Sequence, residues 1–86
     1  MSTAPLDASP APAAPVRVRA AVITCSDSAA RGDAVDTSGP LAAQLLTVLG
    51  HEVAGVSVVA DDTGAIASAV RQAIAAGARV VVTTGG

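Results

Sequence analysis

The stretch that decides the fold is residues 80–86, Val80-Val81-Val82-Thr83-Thr84-Gly85-Gly86. A run of β-branched apolar residues indicates a strand buried on both faces, and the threonines and glycines that follow indicate a turn at its carboxyl end. In α/β proteins a glycine turn at this place lets the backbone approach a phosphate group. The stretch therefore predicts a parallel sheet with a ligand site at the carboxyl ends of its strands.

Two further strands precede this stretch. Residues 16–24 form the first predicted strand, residues 52–59 the second, and residues 79–84 the third. The segments between them have helical length, and helical crossovers join strands that run parallel. The β-α-β-α-β order predicts an α/β fold with a three-layer, Rossmann-like parallel sheet of strand order 2-1-3. The ligand crevice then lies between the carboxyl ends of strands 1 and 3.

Each predicted helix has a polar start and a glycine stop. The first begins at Thr37 or Ser38 and ends before Gly50, and the second begins at Asp62 or Thr63 and ends near residue 76. The apolar residues of the first helix recur at i, i+4, i+7 and i+8, which predicts that they face the sheet. These residues are Leu41, Leu45, Val48 and Leu49.

Composition limits the chain to one small domain. It has 86 residues, of which 51% are hydrophobic and none is aromatic, and its formal net charge is −2. The positive charges are five arginines without a basic stripe, so a nucleic-acid partner is not expected. One cysteine excludes an intrachain disulfide. No signal peptide or apolar stretch of membrane-spanning length is recognised, which predicts a cytoplasmic protein without membrane contact.

The composition also divides the chain. Residues 1–15 contain four of the five prolines and have no apolar periodicity, so we expect a disordered Ala/Pro-rich tail. Residues 16–86 form the predicted domain.

Four polar segments follow strands or precede helices of this domain. Hydroxyls and backbone N–H groups at such positions bind ligand oxygens, but they also cap helices and satisfy turns, and both uses stay open here. Asp61 and Asp62 come after strand 2, where one acid could hold Mg²⁺ while the other caps the next helix. Gly39 is unusual in a first helical turn and suggests that something approaches the backbone closely. The candidate binding residues are Ser26, Asp27, Asp36, Thr37, Ser38, Gly39, Thr84, Gly85 and Gly86.

In their order and spacing, these segments resemble the MogA/MoaB family of molybdenum-cofactor biosynthesis proteins. The similarity covers residues 17–86 and is carried by Ser26-Asp27, Asp36-Thr37-Ser38-Gly39-Pro40, the strand that ends in Asp61-Asp62, and Thr83-Thr84-Gly85-Gly86. The Ser-Gly pair before the proline resembles the MogA/MoaB side of the fold more than related MoeA-type and CinA-type proteins. An Asp after strand 2 resembles MogA-type members.

The resemblance implies a molybdopterin adenylyltransferase, a nucleotidyltransferase that uses ATP and Mg²⁺ with molybdopterin as substrate. It implies that Asp61 is the catalytic or metal-binding acid, with Asp62 as the other possible metal ligand. The binding residues named above would line the pterin and nucleotide site. It further implies a homotrimer in the full-length form and a MoeA-type molybdate insertion protein as partner.

Two alternatives stay open beside this hypothesis. One is a MoaB-like pterin-binding protein without transferase activity, and the other is a non-functional truncation product. The family's sequences continue beyond the position of Gly86 with a second functional Asp, so the resemblance implies the N-terminal part of the domain. We therefore expect this chain alone to be inactive in adenylyl transfer.

Overall fold

The structure of the chain, a computed structural model, describes residues 17–85. The tail predicted over residues 1–15 and the candidate Gly86 lie outside the described residues. The elements in chain order are β1 (Arg19–Cys25), α1 (Asp27–Ala30), α2 (Ser38–Val48), β2 (Glu52–Val59), α3 (Thr63–Ala75) and β3 (Val80–Gly85).

The three strands form one parallel sheet in the order β2-β1-β3. Both neighbours of β1 run parallel to it, as two helical crossovers require. The predicted fold class and strand order are therefore confirmed, and the bounds of β2 agree with the prediction. The other strand bounds differ from the predicted ones by a few residues at their ends.

The core is centred on β1. Ala20, Val22, Ile23 and Thr24 are each at most 1% exposed, because the central strand is covered by both neighbouring strands and by a helix on each face. Thr24 contacts the start of α2, whereas Ile23 lies beside the small alanines of α3. Successive side chains of a strand point to opposite faces, so the two helices pack on opposite sides of the sheet.

The predicted sheet-facing side of α2 is wrong. Leu41, Leu45, Val48 and Leu49 are all more than half exposed, and Gly39 is the buried residue of this helix. The residues turned toward the sheet are the smaller set Gly39, Ala42, Ala43 and Leu46, which also recur at helical spacing. Both sets satisfy the period, and the close approach of the helix to β1 and β2 selects the small residues.

Glycines end the two long helices as predicted. Gly50 and Gly77 have φ values of 94° and 105°, a left-handed conformation that other residues rarely adopt. The loop predicted between β1 and α2 differs in one respect, because it contains the single helical turn α1. The Ser26 side chain caps that turn by accepting a hydrogen bond from the backbone N–H of Ala29 at 3.2 Å.

None of the helices that the structure describes is long and apolar enough to cross a membrane.

Candidate functional site

An open cleft of about 710 Å³ lies at the carboxyl ends of the strands. Its position follows from the topology, since α2 and α3 pack on opposite faces of the sheet and the loops at the carboxyl ends of the strands diverge there. Three of its walls come from the end of β1, from α1 and from the end of β3, and a fourth from the segment after β2. The residues that line it are Cys25, Ser26, Asp27, Ser28, Arg31, Asp61, Ile66, Thr83, Thr84 and Gly85.

Asp27 and Asp61 form the acidic part of the cleft. The Asp27 carboxylate accepts a hydrogen bond from the backbone N–H of Asp61, with Oδ1 and N 2.9 Å apart. This bond joins the segments that follow β1 and β2, which are 34 residues apart in the chain. The Asp61 backbone is therefore held beside β1 while its exposed carboxylate lines the cleft.

Asp62 has a different role from its neighbour. Its carboxylate accepts a hydrogen bond from the backbone N–H of Ala65 at 2.9 Å and caps α3. Asp62 is not among the residues that line the cleft. The structure thus gives different surroundings to two acids whose roles the sequence left open: Asp62 caps a helix and Asp61 lines the cleft.

Ser26 lies at the floor of the cleft and is 6% exposed. Its backbone N–H donates to the carbonyl of Val59 at 2.9 Å, and its hydroxyl lies 3.3 Å from that of Ser28. Because the same hydroxyl caps α1, most of its bonding capacity is used within the protein. Ser28 was not among the candidate binding residues, but it also lines the cleft and brings a second hydroxyl to it.

Asp36 and Gly39 are locked into the junction between α2 and the sheet. One oxygen of Asp36 accepts from the hydroxyl of buried Thr24 and the other from the backbone N–H of Gly39, each at 3.0 Å. A Cβ on Gly39 would lie 2.5 Å from Asp36 Oδ2, 2.6 Å from Thr24 Oγ1 and 2.8 Å from Val56 Cγ1. The close approach suggested by Gly39 is therefore made by the protein's own atoms.

Ser38 connects the start of α2 to the end of β3. Its hydroxyl lies 2.6 Å from the hydroxyl of Thr84 and 3.4 Å from the carbonyl of Gly85. The hydroxyl of Thr84 also donates to the Gly85 carbonyl at 3.1 Å. These contacts hold the end of β3 at the rim of the cleft.

A smaller cavity of about 170 Å³ adjoins the cleft and shares three of its residues, Ser26, Ser28 and Gly85. Asp36, Thr37 and Ser38 line this smaller cavity and not the main cleft. Thr37 stands at the N-cap position of α2, but its side chain makes no capping hydrogen bond, since Asp36 supplies that bond. The candidate residues therefore fall into two adjacent spaces.

Arg31 and Ile66 are cleft residues that the sequence did not predict. Arg31 follows α1, and its Nε donates to Asp33 Oδ2 at 3.0 Å while its side chain is 64% exposed. The available signal was that Arg31 is the one basic residue between β1 and α2. Ile66 belongs to the first turn of α3.

The cleft does not contain a complete metal site made by side chains. Among residues 17–85 there is no group of three or more His, Cys, Asp or Glu residues able to hold an ion. Mg²⁺ needs only one or two protein carboxylates when phosphate oxygens and water supply its other ligands. Asp61, with Asp27 beside it, fits that smaller requirement.

The chain is similar to known proteins over most of its length. The sequence profile of one family, described as "Probable molybdopterin binding domain", matches residues 21–86. A molybdopterin adenylyltransferase of Pyrococcus furiosus is 45% identical over 73 residues, which are 85% of this chain and 43% of that protein. A molybdenum cofactor biosynthesis bifunctional protein of Synechococcus elongatus is 42% identical over 69 residues, covering 80% of this chain and 22% of that protein.

A solved structure shows the same fold. The crystal structure of the tungsten cofactor synthesizing protein MoaB from Pyrococcus furiosus superposes with a TM-score of 0.77 at 44% identity. The match covers 84% of this chain and 44% of that one. The chain thus spans less than half the length of the relatives that it matches.

Proposed function

The chain belongs to the family of probable molybdopterin binding domains in molybdenum cofactor biosynthesis, and on that premise we propose that its cleft binds molybdopterin and ATP for adenylyl transfer. The observation that carries this proposal is the pair Asp27 and Asp61, joined by a 2.9 Å hydrogen bond from the Asp61 backbone N–H to the Asp27 carboxylate at the carboxyl edge of the sheet. The adenylyltransferase relative named above supports the choice of reaction and of both substrates.

In the proposed reaction, an oxygen of the terminal phosphate of molybdopterin attacks the α-phosphorus of ATP. A new P–O–P bond forms, the bond from the α-phosphorus to the bridging β-oxygen breaks, and pyrophosphate leaves. The transfer needs little covalent chemistry from the protein, so most of the catalysis comes from positioning and from neutralising phosphate charge. Loops held at defined places around a cleft suit that task.

The residues around the cleft have different proposed roles in this reaction. Asp61 is the proposed catalytic and metal-binding acid, because its carboxylate is exposed to the cleft while its backbone is held by Asp27. Mg²⁺ bound there would neutralise phosphate charge. Asp62 is left out of the proposed metal site because it caps α3. Ser26, Thr84 and Gly85 form the floor and rim that receive the substrates, and Gly86 continues the turn in the sequence.

The smaller cavity extends the proposed binding site. Asp36, Thr37, Ser38 and Gly39 surround it or support its wall, so their contribution to binding is to hold that wall in place. We further propose a cytoplasmic protein that works as a homotrimer in its full-length form and passes its product to a MoeA-type molybdate insertion protein.

The test measures adenylyl transfer by the full protein that carries this sequence, with ATP, Mg²⁺ and molybdopterin. Asp61→Asn keeps the size of the side chain but removes its charge, and we expect the rate to fall roughly a hundredfold. The matched control is Glu52→Gln, an exposed acid at the opposite end of the sheet, which should leave the rate unchanged.

Equal rates for Asp61→Asn and the parent would refute the role of Asp61. Binding of molybdopterin without any transfer by the parent would replace the proposal with the binding-only alternative. If the parent protein bound neither ATP nor molybdopterin, the cleft would be rejected as their binding site.

A further inference from the structure

The geometry points to Arg31 as a phosphate-binding residue of the cleft, with its guanidinium positioned by Asp33. This inference rests on the proposed function, because it names the residue that recognises the phosphate end of the substrate in that same cleft.

Arg31 is placed at the cleft by the backbone around it. It follows the single turn α1, and Gly32 then reverses the chain with a φ of 84°. The reversal is closed by a hydrogen bond of 2.8 Å from the Asp33 N–H to the Ser28 carbonyl. The side chain of Arg31 therefore starts from a closed turn beside Asp27, and it lines the cleft.

Arg31 is the basic side chain of a cleft lining whose other charged residues are acidic. Asp27 and Asp61 are its acidic residues, and Arg31 is the basic residue among those that line it. The other arginines lie elsewhere, since Arg19 and Arg79 come at the amino ends of β1 and β3, at the opposite edge of the sheet. Without Arg31, a ligand that carries several phosphate charges would meet two carboxylates and no basic side chain among the lining residues, so its binding would depend on Mg²⁺ alone for charge neutralisation.

The ion pair with Asp33 leaves part of the guanidinium available. Nε donates to Asp33 Oδ2 at 3.0 Å, and within residues 17–85 the two Nη atoms make no hydrogen bond to the protein. A guanidinium is a planar fork that can bind an oxyanion on each of two edges. Asp33 on one edge limits the rotamers of a side chain that is otherwise 64% exposed, while the other edge can bind a phosphate.

The test compares ATP with adenosine, which has the same base and sugar but no phosphate, by isothermal titration calorimetry on the full protein that carries this sequence. Arg31→Gln should weaken ATP binding roughly tenfold, since a charge-assisted pair is lost, and should leave adenosine binding unchanged. Arg31→Lys keeps the charge but not the fork and should give an intermediate loss. Asp33→Asn should weaken ATP binding less than Arg31→Gln.

Arg71→Gln is the matched control, because Arg71 is an exposed arginine of α3 outside the cleft, and it should bind ATP like the parent chain. Circular dichroism of each variant checks that the fold is kept. Parent-like ATP affinity in folded Arg31→Gln would overturn the inference and leave the proposed function standing. A full parent protein that binds neither ATP nor adenosine would instead overturn the proposed function, and the inference with it.

Discussion

Two polar regions meet at the same edge of the sheet and use their side chains in opposite ways. In the helix entry, defined as residues 36–39, the side-chain oxygens of Asp36 and Ser38 form hydrogen bonds with the protein itself. The cleft wall, defined as Asp27, Arg31 and Asp61, leaves charged atoms exposed to the cleft. In the sequence, Asp27 and Asp61 of the cleft wall are candidate ligand residues just as the residues of the helix entry are.

The difference between the two regions appears in the number of hydrogen bonds that their carboxylates accept. Both oxygens of Asp36 accept hydrogen bonds from the chain, one of them from a hydroxyl whose residue is 1% exposed. Asp27 uses one oxygen in this way, and the Asp61 carboxylate has no hydrogen bond among residues 17–85. A carboxylate that is saturated by buried donors builds the fold, whereas one that keeps acceptor capacity can bind a ligand.

The largest expected effect comes from Gly39→Ala at the helix entry. The added Cβ would lie within 2.8 Å of atoms of Asp36, Thr24 and Val56, so the helix must move away from the sheet. We expect a loss of about 3 kcal/mol in the free energy of unfolding, partly offset by the better helix propensity of alanine. Urea unfolding followed by circular dichroism measures it.

Gly55→Ala is the matched control for that change. Nothing lies within 4 Å of a Cβ built on Gly55, and its φ is negative or extended. Its unfolding free energy should stay near that of the parent. A Gly39→Ala variant as stable as Gly55→Ala would show that the helix entry is not closely packed.

Asp36→Ala should have the next largest effect. It leaves the buried Thr24 hydroxyl and the Gly39 N–H without their acceptor, which we expect to cost about 2 kcal/mol. Thermal unfolding measures the loss, and Asp33→Ala, which removes a carboxylate of a 65% exposed side chain, is the control. If the two variants melted at the same temperature, the contrast between a structural and an available carboxylate would fail.

Breaking the tie between Ser38 and Thr84 should have the smallest effect. The two hydroxyl oxygens are 2.6 Å apart, and one neutral hydrogen bond contributes about 1 kcal/mol. A double-mutant cycle with Ser38→Ala and Thr84→Val, measured by urea unfolding, isolates this term. A coupling energy of zero would mean that the end of β3 is held at the cleft rim by other contacts.

Much of the fold was predictable because local patterns and chain topology agree. The apolar run of β1 predicted the central strand, and the glycine stops Gly50 and Gly77 were confirmed by their positive φ values. The buried side of α2 was not predictable from periodicity. Two sets of residues share that period, and the set with more large residues marked the wrong side, because the close contact at Gly39 decides which side of α2 meets the sheet.

The candidate site was predictable in outline for the same reason. Parallel strands bring their carboxyl ends to one edge, so Ser26-Asp27, Asp61 and Thr84-Gly85 were expected to meet, and they line one cleft. Arg31 could not be assigned because an arginine in a loop of unknown conformation has no defined direction. The division between Asp61 and Asp62 likewise depended on which backbone N–H each carboxylate could reach.

The sequence by itself determined the order of the elements, their parallel arrangement and the edge at which polar residues collect, because hydrophobic runs, glycines and short connections act locally. The tertiary structure alone decided which of those polar residues have their side-chain oxygens hydrogen-bonded to other parts of the chain. That distinction depends on distances between atoms far apart in the sequence, such as Ser38 with Thr84 and Asp27 with Asp61. The same residue types therefore stabilise the fold at the helix entry and remain accessible to a ligand at the cleft wall.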